Sequence, residues 1–439
     1  MTAHHEQHDT ATWTTDVLVI GAGFAGLEVA RALGRAGIPT IIVDRRNHHL
    51  FQPLLYQVAT AALSAADVAE PVRQILRRYR SVQVILGEVE QVDATLCRAC
   101  LGGGELISYR HLVLAPGSGH SYFGHDDWAA HAPGLKSIED ARSIRSRLLV
   151  AFERAERCTD PDEKRRLLTF AIIGAGPTGV ELAGSISELG RRTLAREFRT
   201  IDPASVRILL IEAGPRILAG FPDDMAAYAS DSLECRGVQI RTSTPVSDIG
   251  PEHVELDDES LDVGLIIWAA GVRPSPLAAQ VAETDHGGRA IVDARLMVPG
   301  LDNVFVLGDA AACPDAEGNP LPGLAQVAQQ QGRHLGPALV AHIRDGRPLP
   351  EFRYRSRGNT AIIARNSAVF HHGRLKLRGW IAWAGWALIH VYLLAGFQNR
   401  ILVSAQWLWR YLTGYRGARV IDEEVAEKAP LREGPSSDA

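Results

Sequence analysis

Two stretches of the chain share one order of apolar and polar positions. Each begins with an apolar run typical of a buried strand, passes through a glycine-rich turn, and continues as a helical run and a second apolar strand. The first stretch covers 16–45 and the second covers 169–212. Strands that alternate with helices in this way form parallel sheets covered by helices. The pattern therefore predicts an α/β fold that contains the same supersecondary unit twice.

The glycine-rich turns have the chemistry of dinucleotide-binding loops. In the first turn, Gly21 permits a tight bend, Gly23 lets the backbone approach a pyrophosphate, and Gly26 lets helix and strand pack closely. The helix that follows offers free N–H groups and the positive end of its dipole to phosphates. Asp44 ends the next strand, where a carboxylate can accept hydrogen bonds from ribose hydroxyls. Glycines that serve only the turn are the structural alternative.

The second turn repeats this pattern with Gly174, Gly176 and Gly179, and Glu212 closes the strand that follows. An acid at this position favours NADH over NADPH, because a 2′-phosphate would meet a like charge. Arg216 lies four residues further on and could weaken that preference.

A third strand indicates which loop takes which nucleotide. The run VFVLGDAA at 304–311 brings Gly308 and Asp309 to the start of a helix. Asp309 could accept hydrogen bonds from a polyol such as the ribityl chain of a flavin, which NAD lacks. We therefore predict two Rossmann-like dinucleotide-binding domains. FAD binds the first without a covalent bond, NADH binds the second as substrate, and the NADH domain is inserted in the FAD domain.

Composition changes this picture in two ways. The chain has 439 residues, which is enough for about three structural units, and its formal net charge of −5 argues against nucleic acid as a partner. Its five cysteines are an odd number with no disulfide framework, as in reduced intracellular proteins. The role of the lone CxxC at Cys97 and Cys100 stays open, and the sequence predicts no metal site.

The C-terminal segment differs from the rest of the chain in charge and in aromatic content. Between Phe352 and Val420 there are 11 Lys and Arg residues and no Asp or Glu, and five of the eight tryptophans lie at 380–409. The 18 residues from Trp380 to Phe397 are at the lower limit for crossing a bilayer. Tryptophans and basic flanks favour a helix that lies on the membrane surface. A buried core or dimer helix pair and a true span are the alternatives.

The stretch after this segment is amphipathic on a helical period, which suits an interfacial helix. Its polar stripe comprises Asn399, Gln406 and Arg410, and its apolar stripe comprises Ile401, Ala405, Leu408 and Leu412. We therefore expect the domains to be a tail over 1–13, a FAD-binding domain over 14–165 and 273–345, an NADH-binding domain over 166–272, a membrane-associating domain over 346–422, and a tail over 423–439.

Longer motifs give the chain a family resemblance. It resembles the type II NADH:quinone oxidoreductases over about residues 16–422; this is the single-subunit, non-pumping kind, among the flavoproteins with two dinucleotide-binding domains. The motifs that carry the resemblance are NHHLFQPLLYQVATAALS (47–64), GPTGVELAG (176–184), WAAGVRPSPL (268–277), LPGLAQVAQQQGRH (321–334) and HVYLLAGFQNRILVSAQWLWRYLTGYRGARVI (390–421). The stretch 354–365 departs from the family pattern, so the resemblance assigns no roles there.

The resemblance implies a set of site residues. Glu181 would lie between the nicotinamide and quinone sides and handle protons, with an ion pair to a basic neighbour as the alternative. Gln326 and Gln330 would line the quinone pocket beside the flavin, with helix capping and packing as the alternative. The implied contacts are Gly21, Gly23, Gly26, Asp44, Gly308, Asp309, Ala325 and Gln326 for FAD, and Gly174, Gly176, Gly179, Glu212, Ala270 and Gly271 for NADH.

These observations predict an enzyme that passes hydride from NADH to FAD and then two electrons to a membrane quinone, without proton pumping. We expect it on the cytoplasmic face of the cell membrane, as a peripheral protein on an anionic lipid surface, with a homodimer left open. A flavin reductase for a soluble acceptor and a slow NADH-sensing flavoprotein that acts by partner binding are the alternatives. A disulfide or sulfide oxidoreductase would need a cysteine pair near the flavin, and residues 21–96 contain no cysteine.

Overall fold

The computed structural model describes residues 12–195, 197–257, 259–393, 397–413 and 417–422, without the side chains of 391–400, 406 and 410–412. The two predicted tails lie outside these residues, except that the first strand already begins at Trp13. Ten α-helices are described: α1 Phe24–Arg35, α2 Leu55–Ala59, α3 Val72–Leu76, α4 Ile138–Arg157, α5 Pro161–Leu167, α6 Pro177–Glu188, α7 Asp223–Glu234, α8 Ala325–Asp345, α9 Trp380–Leu393 and α10 Phe397–Thr413.

The strands of the described residues are numbered in chain order. They are β1 Trp13–Ile20, β2 Thr40–Asp44, β3 His48–Leu50, β4 Ala69–Pro71, β5 Val82–Leu86, β6 Val89–Asp93, β7 Arg98–Leu101, β8 Leu106–Leu114, β9 Ser118–His120, β10 Thr169–Ile173, β11 Arg207–Ile211, β12 Val238–Arg241, β13 Val246–Ile249, β14 His253–Leu256, β15 Ser260–Asp262, β16 Leu265–Trp268, β17 Val272–Pro274, β18 Ala290–Ile291, β19 Val304–Val306, β20 Ala311–Ala312, β21 Asn359–Ala364, β22 Ser367–His372 and β23 Leu375–Arg378.

The chain forms two compact units, of which unit 1 comprises Met1–Leu50, Ala69–Gly119 and Val272–Arg357. Its main sheet has the order β5-β2-β1-β8-β7-β6, with β19 also paired to β8. The pairs β1–β2, β1–β8, β2–β5 and β8–β19 are parallel. Helices α1 and α8 pack together so closely that a Cβ on Gly332 would lie 2.3 Å from the Ala25 carbonyl oxygen. The pairs β6–β7 and β7–β8 are antiparallel, so the sheet is mixed. Its parallel part with the helical layer is what the first βαβ pattern predicts.

Unit 2 comprises Phe51–Val68, His120–Gly271 and Gly358–Ala439. Its parallel sheet has the order β12-β11-β10-β16. This order corresponds strand by strand to β5-β2-β1-β8 of unit 1. In both units the strand before the glycine turn, β1 or β10, has a parallel neighbour on each side. Two antiparallel sheets, β13-β14-β15 and β21-β22-β23, complete the unit. Helix α6 packs on β21, where a Cβ on Gly184 would overlap the Ile363 carbonyl oxygen.

The two sheets confirm the predicted fold class, with the main part of unit 2 inserted between pieces of unit 1. The compact units divide the chain at other points than the expected domain boundaries. Residues 51–68 and 120–165 belong to unit 2, because α2 packs against α4 and α6 there. The C-terminal segment from 358 is likewise part of unit 2. Where each ligand-binding domain ends stays a prediction.

The C-terminal helices α9 and α10 have one face packed on unit 2 and another open to solvent. Trp386 and Val403 are buried, whereas Ile401 and Leu408 of the predicted apolar stripe are 56% and 61% exposed. The described helices include none that is both long enough and apolar enough to span a bilayer. Four other members of the two predicted stripes have side chains that the structure does not describe: Asn399, Gln406, Arg410 and Leu412.

Candidate functional site

In the first glycine turn, neighbouring backbone atoms leave no room for a side chain at two of the three glycines, whereas the third has open space beside it. Gly21 has φ +98°, and a Cβ there would lie 2.2 Å from the Ala115 carbonyl oxygen. A Cβ on Gly26 would lie 1.9 Å from the Gly21 carbonyl oxygen. At Gly23, where φ is −75°, a Cβ would meet no described protein atom within 4 Å. The space beside Gly23 is therefore the one that a pyrophosphate could use.

The acid of the first turn is held against the turn itself. One Asp44 carboxylate oxygen accepts a hydrogen bond from the Ala22 N–H at 2.7 Å, and the other accepts from the Arg46 N–H at 2.8 Å. His49, which the motif analysis gave no role, contacts the Ala22 carbonyl oxygen through its Nδ1 at 3.1 Å. Burial lowers the pKa of His49 to about 4, so the ring is neutral and can donate this hydrogen bond.

The second glycine turn has the same geometry. Gly174 also has φ +98°, and a Cβ there would lie 2.6 Å from the Ala270 Cα. A Cβ on Gly179 would lie 1.9 Å from the Gly174 carbonyl oxygen, whereas a Cβ on Gly176 would meet no described atom within 4 Å. The second turn therefore has its own open space beside the middle glycine, at the N-terminus of α6.

Glu212 occupies the position in unit 2 that Asp44 has in unit 1. Its carboxylate accepts hydrogen bonds from the Ala175 N–H at 2.7 Å and the Gly214 N–H at 2.9 Å. The guanidinium of Arg216 is engaged elsewhere, so it does not neutralise this carboxylate. Its partners are the carbonyl oxygens of Ala219 and Phe221, each at 2.8 Å, and the carboxylate of Asp223 at 2.9 Å.

Asp309 lies at the carboxyl end of β19 in a short 3-10 turn, Gly308–Ala310. Its carboxylate accepts a hydrogen bond from the Ser118 hydroxyl at 2.6 Å. The Gly308 N–H donates to the Gln331 side-chain oxygen at 2.7 Å, and this glutamine is buried. Gln331 was missed by the motif analysis, although it stands in the run AQQQG at the same helical face as Ala328. It fixes the turn that presents Asp309.

The glutamines of α8 hold the chain segment at 355–357. Ala325 is the first residue of this helix, and Gln326 accepts a hydrogen bond from the Arg357 N–H at 3.1 Å. Gln330 both accepts from the Arg355 N–H at 3.1 Å and donates to the Arg355 carbonyl oxygen at 3.0 Å. This is the packing role that sequence left open beside quinone binding, and the quinone role stays a prediction.

Glu181 lies on α6 and lines a cavity of about 80 Å³ inside unit 2. Its carboxylate accepts one hydrogen bond, from the Ile362 N–H at 3.4 Å, and forms no ion pair with any described residue. The side chain is half-buried and faces the cavity. Burial raises the pKa of Glu181 to about 8, against a small lowering by the Ile362 N–H. The group therefore carries a proton at neutral pH.

Aromatic side chains of the C-terminal helices close this cavity. Trp386 and Trp407 stack with their ring centroids 5.1 Å apart, and the Trp407 indole N–H donates to the Gln57 side-chain oxygen at 3.0 Å. Gln57 in turn donates to the Tyr56 hydroxyl at 3.0 Å. The full lining is Tyr56, Gln57, Glu181, Ser185, Glu188, Arg192, Thr193, Ile362, Ala364, Arg365, Trp383, Trp386 and Trp407. Sequence indicated the tryptophan cluster but not that three of its members face Glu181.

The predicted site residues thus fall into two groups. Unit 1 brings together the first glycine turn, Asp44, and the 3-10 turn with Gly308 and Asp309. Unit 2 brings together the second glycine turn, Glu212, and the Ala270-Gly271 corner that follows β16. Each group has backbone N–H donors, a carboxylate acceptor at a strand end and open space beside the middle glycine. These are the features that a dinucleotide-binding site needs.

Comparisons with known proteins agree with this arrangement. The model of the pyridine nucleotide-disulphide oxidoreductase family matches residues 15–332. The type II NADH:quinone oxidoreductase Ndh of Mycobacterium tuberculosis is 39% identical over 96% of this chain and 96% of its own length. An internal alternative NAD(P)H-ubiquinone oxidoreductase of Arabidopsis thaliana mitochondria is 29% identical over 92% of this chain and 85% of its own.

Two solved structures share the fold. The NDH2 of Plasmodium falciparum in complex with NADH has a TM-score of 0.83 at 19% identity, over 92% of this chain and 99% of that one. The sulfide:quinone oxidoreductase of Aquifex aeolicus has a TM-score of 0.70 at 18% identity, over 88% and 91%. At these identities the likeness concerns the fold alone. The sequence relatives and the family model confirm the predicted resemblance: the chain belongs to the type II NADH:quinone oxidoreductases, within the pyridine nucleotide-disulphide oxidoreductase family.

Proposed function

We propose that this chain catalyses electron transfer from NADH to a membrane quinone through a non-covalently bound FAD, without proton pumping. The observation that carries the proposal is the pair of matching cradles, one in each unit, in which the middle glycine faces open space and an acid is held beside the turn. A protein with one nucleotide ligand would need only one of them. The relatives named for NADH and quinone support the same reaction.

FAD is assigned to unit 1. Gly21, Gly23 and Gly26 would hold its pyrophosphate at the N-terminus of α1, and Asp44 would accept hydrogen bonds from its ribose. The donor set fits a flavin dinucleotide because a second carboxylate, Asp309, is fixed by Ser118 at the end of β19, where a ribityl chain offers hydroxyl donors. When bound, the flavin supplies the chemistry of accepting a hydride and releasing two electrons.

NADH is assigned to unit 2. Gly174, Gly176 and Gly179 would hold its pyrophosphate, and Glu212 would hydrogen-bond its adenosine ribose. Because Arg216 is tied to its own loop, the Glu212 charge is unopposed and would repel the 2′-phosphate of NADPH. Ala270 and Gly271, which follow β16, would lie beside the nicotinamide half.

The quinone side is assigned, within unit 2, to the cavity around Glu181. The roles of Gln326 and Gln330 in unit 1 are a separate assignment that follows from the family resemblance. Tryptophan faces and an apolar strand edge suit a flat quinone ring, and the cavity is built partly from the two C-terminal helices. Glu181 would donate a proton to the reduced quinone, since its raised pKa keeps the carboxyl protonated at neutral pH. The two α8 glutamines would offer amide donors while they hold residues 355–357.

Association with the membrane surface is assigned to the open face of α9 and α10. Large apolar side chains are exposed there, and the hairpin before α9 adds the exposed Arg374 and Arg378. Lys376 of the same hairpin is paired with Asp224 at 2.7 Å. This combination favours a peripheral position on an anionic lipid surface. We infer the cytoplasmic face because NADH must reach unit 2. A homodimer through these helices is the alternative, because it would cover the same face.

The direct test is an anaerobic half-reaction experiment on detergent-purified, flavin-loaded protein. NADH should bleach the flavin absorbance, and a short-chain quinone added afterwards should restore it. Bleaching without recovery would contradict the quinone assignment, and absence of bleaching would contradict the NADH assignment.

Membrane binding has its own test, by sedimentation with vesicles that contain anionic lipid. The pair I401Q and L408Q should weaken binding by roughly tenfold or more, because each change removes a side chain that would be buried in the lipid. L86Q changes a similarly exposed leucine in unit 1 and should have no effect. Equal vesicle binding by all variants would contradict the surface assignment.

A further inference from the structure

One aromatic side chain of unit 2 is exposed although the aromatic residue just before it is buried. Phe123 is 68% exposed, whereas Tyr122 before it is buried. Its backbone has φ +54°, in the left-handed region that bulky residues rarely occupy. Non-glycine residues in this region persist only where the surrounding structure enforces them, and they cluster at functional sites. Phe123 therefore needs an explanation that solvent exposure alone does not provide.

The loop of residues 121–125 is fixed by the strand β16 and the corner after it. The Trp268 indole N–H donates to the Ser121 carbonyl oxygen at 2.8 Å, and the Ser121 N–H donates to the Gly271 carbonyl oxygen at 3.2 Å. The Tyr122 ring packs on Trp268 with centroids 5.0 Å apart, and its hydroxyl donates to the Ala132 carbonyl oxygen at 2.8 Å. These contacts fix the two residues before Phe123, whose phenyl ring lies at the surface.

The ring stands at the edge of the second nucleotide cradle. Gly174 of that cradle lies so close to Ala270 that a Cβ on Gly174 would be 2.6 Å from the Ala270 Cα. A Cβ on Gly271 would lie 2.8 Å from the Phe123 Cζ, so this glycine is required by the phenylalanine. In the sheet, β11 lies on one side of β10 and β16 on the other, so the strand order reverses at β10. Ligands of open parallel sheets bind at the carboxyl ends of the strands where the order reverses.

We propose that Phe123 forms an aromatic wall for the nicotinamide half of NADH, and this inference rests on the proposed NADH site in unit 2. Glu212 would hold the adenosine end on the β11 side, so the other half of the dinucleotide would extend past Ala270 and Gly271. An exposed phenyl ring at that place offers a flat apolar face to a nicotinamide ring or its ribose. The ordered left-handed backbone keeps this face ready before the ligand arrives.

The test compares two ligands on the flavin-loaded protein. NAD⁺ carries the nicotinamide and ADP-ribose lacks it, and neither one reduces the flavin. F123G and F123N remove the ring with residues that tolerate a left-handed backbone, so neither adds strain. Both should weaken NAD⁺ binding by roughly tenfold, the usual size of a lost aromatic contact with its buried area, while ADP-ribose binding changes less than about twofold. F123Y keeps the ring and should bind both ligands like the unmodified protein.

Two controls separate the possible failures. L96A removes a comparably exposed apolar side chain from unit 1 and should affect neither ligand. E212A should weaken both ligands, because both contain the adenosine ribose. If F123G and F123N bind NAD⁺ normally, or lose both ligands equally, the Phe123 proposal is overturned while the NADH site stands. If E212A changes neither ligand, the NADH site itself is in the wrong place.

Discussion

The two glycine turns are nearly the same structure in two units. In both, the first glycine has φ +98°, and a Cβ on the third glycine would lie 1.9 Å from the first glycine's carbonyl oxygen. In both, a Cβ on the middle glycine would meet no described atom within 4 Å. In both, the acid accepts a 2.7 Å hydrogen bond from the residue after the first glycine. The turns themselves therefore do not decide which nucleotide is bound.

The two units differ in the residues that follow the strands next to each turn. In unit 1 the first glycine packs on Ala115 after β8, and β19 beside β8 ends in Asp309. In unit 2 the first glycine packs on Ala270 after β16, with Gly271 and the exposed Phe123 beyond it. A carboxylate suits a polyol chain and a phenyl ring suits a flat apolar ring. Under the proposed assignment, the residues that follow the opposite strand, and not the glycine turn itself, would select the ligand.

The largest effect is expected from a matched pair of substitutions at the middle glycines. A valine at Gly23 or Gly176 meets no described protein atom near its Cβ and needs no positive φ, so each unit should still fold. G23V should purify with less than roughly a tenth of the flavin, because its side chain occupies the pyrophosphate space. G176V should keep its flavin but lose at least roughly 100-fold in NADH affinity.

Flavin absorbance per protein and NAD⁺ titration measure this pair. Circular dichroism and the melting temperature check that both variants fold. If G176V lost flavin and G23V did not, the assignment of the two cradles would be reversed.

Glu181 offers the next largest effect. Substitution E181Q should slow flavin reoxidation by quinone by about 100-fold at neutral pH, the usual contribution of a positioned acid, and leave reduction by NADH unchanged. In the unmodified protein the rate of reoxidation should fall as the pH rises through about 8, where the carboxyl loses its proton. Stopped-flow traces of the two half-reactions over a pH series would separate these steps; an unchanged pH profile in E181Q would exclude Glu181 as the proton donor.

The same carboxyl has a thermodynamic consequence. Its pKa is raised above the unfolded value of 4.5, so the folded state keeps a proton that the unfolded state releases. Its contribution to the free energy of unfolding is present in full below pH 4.5 and decreases as the pH rises toward 8. E181Q should therefore flatten that part of the stability–pH curve, as measured by urea unfolding.

Glu212 allows the two units to be compared through the preference for NADH over NADPH. E212Q should raise kcat/KM for NADPH by about tenfold and lower it for NADH by a similar factor, because a like-charge repulsion and charged hydrogen bonds are both lost. D44N, the corresponding change in unit 1, should alter flavin content and leave the NADPH to NADH ratio unchanged. Steady-state assays with both coenzymes would decide this, and a ratio that shifts in D44N and not in E212Q would contradict it.

The smallest effect is expected at the α8 glutamines. Q330A removes two hydrogen bonds that hold Arg355, and the loss of amide donors to quinone should raise the quinone KM by roughly threefold to tenfold. Electron transfer from NADH to a small soluble acceptor such as ferricyanide should be unaffected. If both acceptors were impaired equally, the glutamine would serve only packing.

The sequence predicted the parts of the site that depend on local backbone chemistry. Gly21, Gly174 and the strand-end acids were predictable because a positive φ, a close helix contact and a carboxylate each require a particular residue type at fixed spacing. The inserted arrangement was predicted from the distance between Asp44 and Asp309 in the chain, because both were expected to contact one flavin.

Other features depend on contacts between distant segments and were not predictable. The cavity around Glu181 joins α6, residues 56–57, β21 and the C-terminal tryptophans, and no spacing rule connects these segments. The backbone strain of Phe123 arises from the fold around it, so the run SYFGH gave no sign of it. Gln331 was hidden among three consecutive glutamines, of which only the structure distinguishes the buried one.

The most direct measurement of the central claim is hydrogen–deuterium exchange of the flavin-loaded protein with and without NAD⁺. NAD⁺ should protect amides at 174–180 and 212–216 and leave those at 21–27 unchanged, whereas removal of FAD should deprotect 21–27. Protection of 21–27 by NAD⁺, or no protection at 174–180, would contradict the account of two equal cradles with two different ligands.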